Sequence, residues 1–230
     1  MMSNPLPSIP ENKPFTTWGI IEGETVIVEE KHIPVCYGFL LDKSGSMQGI
    51  KYKSAEDAIR TILIDYHDSD MVFMIQFDDR FEVKTEPTLV SEVRKNGIDH
   101  WFKVVEMGGT KIWDAIDQSL KFAQKGMQTI INVITDGEDN NSRCTESYIK
   151  KKVSEIPDVS LNIVMIANSE QQAPVAAYQN AANGMYSQLS SDDGNLSRNI
   201  TQAISSSSPA TSGSRAASRT LSALQKPCSK

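Results

Sequence analysis

Two hydrophobic patterns take turns along the chain. Val35-Cys36-Tyr37-Gly38-Phe39-Leu40-Leu41 is an apolar run with no polar alternation, and Met71–Phe77, Thr129–Thr135 and Leu161–Ala167 read as further, mostly apolar buried strands. Runs of that length without alternation suit strands buried on both faces. Between them, apolar residues recur at helical spacing. Ala55, Ala58, Ile59, Ile62, Leu63 and Tyr66 predict an amphipathic helix, with Lys51, Lys53, Glu56, Asp57 and Arg60 on its outer face. Ile112, Ala115, Ile116, Leu120 and Ala123 predict a second, stopped by Gly126. Further helices are expected over Glu146–Ile156, halted by Pro157, over Pro174–Ala182, and over Asp193–Ser205. Leu89–Trp101 reads as a short helix broken at Asn96-Gly97, and Met185–Leu189 as a last strand. Arg80–Pro87 alternates and is polar enough for an edge strand that Pro87 would end. Thr25–Glu29 reads as a short edge strand, with Trp18 anchoring the lead-in. Strands alternating with helices predict an α/β fold: a doubly wound, mostly parallel sheet with one antiparallel edge strand and helices on both faces.

Composition narrows the picture. The 230 residues suffice for one domain with a good core, and 39% hydrophobic with 23% charged residues describes a chain that folds over most of its length. The expected division is an N-terminal extension over 1–33, partly disordered, a folded domain over 34–205, and a flexible Ser-rich tail over 206–230. That tail holds Arg215, Arg219, Lys226 and Lys230 and no acidic residue, which leaves −10 on the rest because the whole carries −6. An acidic body argues against a general nucleic-acid binder, and four charges on an arm give only weak, salt-sensitive attraction. Cys36, Cys144 and Cys228 form no CxxC pair and no disulfide framework. With no apolar leader in Met1–Asn12 and no run long enough to span a membrane, a cytoplasmic protein without membrane contact is expected.

The chemistry concentrates at strand ends. The first buried run stops at Asp42, and Ser44 and Ser46 follow with Gly45 between them. The third stops at Asp136-Gly137. Gly108-Gly109-Thr110 precedes a predicted helix. In open parallel sheets, ligands bind outside the carboxyl ends of the strands where strand order reverses, so three loops can converge on one crevice. Their side chains offer only oxygen, which suits a hard divalent cation. Taken singly, each piece is an ordinary turn or helix cap; the three together in order are what favours a metal site.

Asp42-x-Ser44-x-Ser46, Gly109-Thr110 and Thr135-Asp136-Gly137 resemble the three pieces of the metal-ion-dependent adhesion site of the von Willebrand factor A (integrin I-like) domain family. The resemblance covers roughly residues 34–205. It implies a vWA/Rossmann-like fold and a Mg²⁺ ion, or Mn²⁺ in vitro. Ser44, Ser46 and Thr110 would bind through hydroxyls, and Asp42 and Asp136 directly or through water. It further implies an adaptor whose protein partner supplies an Asp or Glu as the last metal ligand.

An enzyme is the alternative. A strand ending in aspartate could carry the nucleophile of a haloacid-dehalogenase-type phosphoryl transferase, but that pattern calls for a second aspartate where Ser44 stands. There is no G-x-x-x-x-G-K-[ST] phosphate loop and no G-x-S-x-G elbow. His32, His67 and His100 are expected at the surface or its boundary, Lys43 in solvent, and Glu138-Asp139 in a solvated loop. Met47 reads equally as rim or core.

Overall fold

The computed structural model describes residues 15–21, 24–30, 32–103, 108–137, 139–167 and 175–207. These fall into two units. In one, β1 (Phe15–Ile21) pairs antiparallel with β2 (Glu24–Glu30), Trp18 opposite Ile27. The predicted strand at Thr25–Glu29 is thus present, and Trp18 lies in its partner strand. Of the expected 1–33 extension, residues 1–14 lie outside the described residues, as does the expected tail from 208 on; Ser206 and Ser207, expected in that tail, close the last helix instead.

The second unit, Pro34–Ser207, is a six-stranded sheet in the order β5-β4-β3-β6-β7-β8. Its strands are β3 (Val35–Asp42), β4 (Met71–Phe77), β5 (Phe81–Leu89), β6 (Gln128–Thr135), β7 (Val159–Ala167) and β8 (Tyr186–Ser190). All neighbours run parallel except β5, which is antiparallel to β4 at one edge. The strand order reverses between β3 and β6: the chain leaves β3 toward β4 and β5, then returns to β6 and continues to β8. Asp42 closes β3 and Asp136 directly follows β6, so both stand at the carboxyl side of this switch point.

Helices cover both faces, as side-chain alternation requires. Phe39 and Leu41 of β3 pack toward α1 (Ile50–Asp65) and α6 (Leu196–Ser207), beside Ala55, Ile59, Ile62, Ile200 and Ile204. Cys36 and Leu40 face the opposite layer, made by α3 (Ile112–Ser119), α4 (Glu146–Glu155) and α5 (Val175–Ala181). A short α2 (Val90–Asn96) follows β5 and stops at Gly97, as its Asn-Gly pair predicts. Arg94 on α2 donates to the carbonyls of Leu63, Ile64 and Tyr66, satisfying the open end of α1. No described helix is long and apolar enough to cross a membrane.

Two expectations change. Pro87 does not end the edge strand: β5 runs through it to Leu89, because an edge strand tolerates a residue without an N–H. Register shifts between Val72, Met74 and Ile75 accommodate it. Lys51 does not lie on the outer face of α1 but is buried.

Gly38 sits in the central strand opposite Phe73 of β4. A Cβ there would stand 2.1 Å from Phe73 Cζ, so the ring occupies the place of a side chain. Gly38→Ala therefore forces the ring into a packed layer, and the expected loss is about 1–3 kcal/mol of unfolding free energy. Urea denaturation measures it; an unchanged midpoint would show that the layer can yield there.

Candidate metal centre

Asp42 is the last residue of β3 and fully buried. Its Oδ1 accepts from Ser44 N at 2.7 Å, which folds the chain back immediately after the strand. Its Oδ2 accepts from Thr135 Oγ1 at 2.5 Å, across the switch point. Burial pushes its pKa up to about 6; the Thr135 and Ser44 hydrogen bonds pull the other way, and nearby Asp136 adds to the rise.

Three loops interlock over this carboxylate. Ser44 Oγ lies 3.1 Å from Ser46 Oγ, and Ser46 Oγ donates to Asp136 Oδ1 at 2.7 Å. The second loop joins the first through Gly45 N, which donates to Gly108 O at 3.4 Å. It joins the third through Asn140: Thr110 N donates to Asn140 Oδ1 at 3.0 Å, and Asn140 N donates back to Thr110 O at 3.1 Å. Gly137 lies where these loops meet. A Cβ on it would be 3.5 Å from Thr110 Oγ1 and 3.9 Å from Ser46 Oγ, so both hydroxyls border the same small space. Asp42, Ser44, Thr110 and Asp136 are buried and Ser46 is exposed, giving the cluster one face to solvent.

The sequence-predicted residues are therefore together: two carboxylates and three hydroxyls, drawn from three loops. Among the described residues no three His, Cys, Asp or Glu side chains gather as a metal site. A donor set dominated by hydroxyls is of a different kind, and its all-oxygen chemistry fits a hard cation such as Mg²⁺.

Several residues take parts that sequence reading gave otherwise. Asp139 is no solvated loop residue: its Oδ1 accepts from Ile112 N at 2.7 Å and from Ser142 Oγ, capping α3 from another loop. Its own N–H donates to Tyr178 Oη, which donates to Gly137 O at 3.0 Å. Glu138 lies outside the described residues. Lys43 does not point to solvent; its side chain is nearly buried with Nζ 3.6 Å from Asp78 Oδ2. Met47 is buried in the core rather than on the rim. His100 is exposed, His32 is half-buried, and His67 Nδ1 bonds Ser69 Oγ in the turn before β4.

The principal residue missed is Lys51. Its Nζ reaches Asp136 Oδ2 and lies 3.3 Å from Ser46 O. The signal was present: Lys51 stands four residues before Ala55, so it begins the buried stripe of α1 rather than its outer face.

Residues 38–138 match the family model for the von Willebrand factor type A domain. That span contains Asp42, Ser44, Ser46, Thr110 and Asp136. The family supported is the von Willebrand factor type A domain. A bovine (Bos taurus) protein, inter-alpha-trypsin inhibitor heavy chain H4, is 31% identical over 134 residues; the match covers 53% of this chain but only 14% of that protein. The von Willebrand factor type A structure from Catenulispora acidiphila superposes with a TM-score of 0.64 at 14% identity, over 80% of this chain and 44% of that one. Proximal thread matrix protein 1 from the mussel byssus, solved with zinc in its adhesion-site motif, superposes with a TM-score of 0.58 at 16% identity, over 75% of this chain and 46% of that one. At such identities the structures speak for the fold. Von Willebrand A domains are generally protein-interaction modules, often with a divalent metal, rather than enzymes.

Two predictions follow from the site's geometry. A Cβ on Gly109 would fall 2.5 Å from Asn141 Nδ2 and 3.1 Å from Asn140 Oδ1. Gly109→Ala should therefore loosen the Thr110 loop, read as faster amide exchange at Thr110 while the β3 and β6 amides stay protected. The second concerns pH. Asp42 titrates near 6 in the fold against an ordinary 3.8, so its neutral form is favoured. The stability this gives is whole below about pH 4 and is lost as pH rises through about 6. In EDTA, Asp42→Asn should gain on the wild type by roughly 2–3 kcal/mol between about pH 4 and pH 7.5. Urea midpoints at each pH test it, and a constant difference would refute it.

Proposed function

We propose that residues 34–205 are a von Willebrand factor A domain that binds a protein partner through a divalent metal. The ligands in this reading are Asp42, Ser44, Ser46, Thr110 and Asp136, and the metal is Mg²⁺, with Mn²⁺ able to replace it. The observation that carries the proposal is the convergence of these oxygens from three interlocked loops at the switch point of the sheet. The metal-bearing motif of the mussel protein supports it as a likeness.

When bound, the metal supplies an open coordination position to an incoming carboxylate. The chain's own residues set the terms. Ser44, Ser46 and Thr110 are neutral donors, so they add no charge that would repel an acidic partner. Thr135 and the Ser44 N–H fix both oxygens of Asp42 and hold its carboxylate in one orientation. Those same bonds and its burial argue for binding over the phosphoryl-transfer alternative, because a nucleophilic carboxylate must reach its substrate. In this reading residues 1–33 are an extension and 206–230 a tail. The protein acts in the cytoplasm as an adaptor, to which the unpaired thiols of Cys36 and Cys144 are suited.

Calorimetric titration with Mg²⁺ and Mn²⁺ tests the metal. Asp42→Ala should abolish the signal, and Thr110→Ala should weaken binding about tenfold or more, the size of one contact to a charged group. Identical titrations of wild type and Asp42→Ala would sink the metal reading. Partner binding should vanish in EDTA, in Asp136→Ala, and when one acidic residue of the partner becomes its amide. Binding that survives all three uses another surface.

A further inference from the structure

Lys51 is the second residue of α1, and its side chain runs inward rather than outward. The ammonium meets Asp136 Oδ2, with side-chain exposures of 10% and 0%. It also donates to Ser46 O at 3.3 Å, so it bridges the third loop to the first. Asp136 Oδ1 is meanwhile held by Ser46 Oγ at 2.7 Å. Each oxygen of this buried carboxylate thus has one designated neighbour, a cation on one side and a candidate metal ligand on the other.

We propose that Lys51 is the resident counter-cation of the metal centre, which shares Asp136 with the metal and weakens the metal's hold. This rests on the five-oxygen site proposed above. Two charges follow from the arrangement. Without metal, the ammonium compensates a carboxylate that would otherwise be buried alone, so the loops keep their form. With a divalent ion present, two carboxylates, one ammonium and the ion leave the centre at +1 rather than neutral. Like charges at close range in a poorly screened site repel, so the metal binds less tightly than two carboxylates alone would hold it. The surplus charge makes the loaded centre a better receptor for a partner's carboxylate. Lys51 is a positioning and charge-setting residue here and is not a metal ligand.

The test is Mn²⁺ titration calorimetry of the full chain as wild type, Lys51→Met and Lys51→Arg, with thermal melts in EDTA and in saturating Mn²⁺. Lys51→Met should bind Mn²⁺ on the order of tenfold or more tightly than wild type. Its melting midpoint should fall below wild type in EDTA, and Mn²⁺ should narrow the gap. Lys51→Arg keeps the charge and should stay within about threefold of the wild-type affinity. Should Lys51→Met fail to fold, Lys51→Gln keeps a donor for Ser46 O and removes only the charge, with the same expected tightening. Affinity that is unchanged or weaker in the uncharged variant, against clear binding by wild type, overturns the role of Lys51 and leaves the metal site standing. Wild type that binds no Mn²⁺ overturns the site itself and this inference with it.

Discussion

Two carboxylates at the ends of adjacent strands, both shut away from water, set the terms for the rest of this structure. A buried carboxylate without compensation is costly enough to shift its ionisation or unfold its surroundings. The chain meets that constraint in two different ways. Asp42 is held by dipoles, the Ser44 N–H and the Thr135 hydroxyl, and burial still wins, with its pKa near 6. Asp136 is held by a full charge, the Lys51 ammonium, with Ser46 on its other oxygen. One carboxylate is thus poised to gain from an arriving cation, and the other already has one.

The scaffold explains why the two meet. β3 and β6 are neighbours only because strand order reverses between them. Thr135 reaches Asp42 because β6 pairs with β3 up to Ile134 opposite Leu41, one residue short of both. The loops beyond the strand ends would be loose by themselves, and each is tied to a neighbour. Asp139 caps α3, Asn140 clamps Thr110, and Tyr178 holds Gly137 and Asp139 from α5. Lys43 and Asp78 fasten the ends of β3 and β4, and Lys111 N donates to Asp78 O, linking α3 to the same corner. Such cross-ties place side chains more narrowly than loop residues in general.

The hydroxyl-rich character of the cluster bears directly on the proposed function. Each serine or threonine in place of an acid removes a negative charge, and Lys51 removes the effect of one more. In the proposed reading, a centre built in this way would hold a metal less tightly than an acidic cage and would keep more of the metal's charge for an incoming carboxylate. If the proposed metal is bound, the centre would be a local positive focus on a chain that carries −6 overall.

The sequence by itself determined the architecture, and it singled out the five oxygen-bearing residues that the fold brings together. Short, mostly apolar runs bounded by turn residues suit strands covered on both faces, and the matching helical stripes supply the cover; Met71–Phe77 is β4 to the residue and Gln128–Thr135 differs from its predicted start by one. Asp42 and Asp136 stood out because each ends such a run. The tertiary structure alone decided which partner each polar side chain found. Lys51, Lys43 and Asp139 all read as solvated charges, because a long side chain or a loop carboxylate carries no local mark of its destination. Lys51 lies 85 positions from Asp136, and Asp139 lies 27 from Ile112. Their roles arise only when the strand order brings those loops together, where burial turns a solvated charge into one that must be paired.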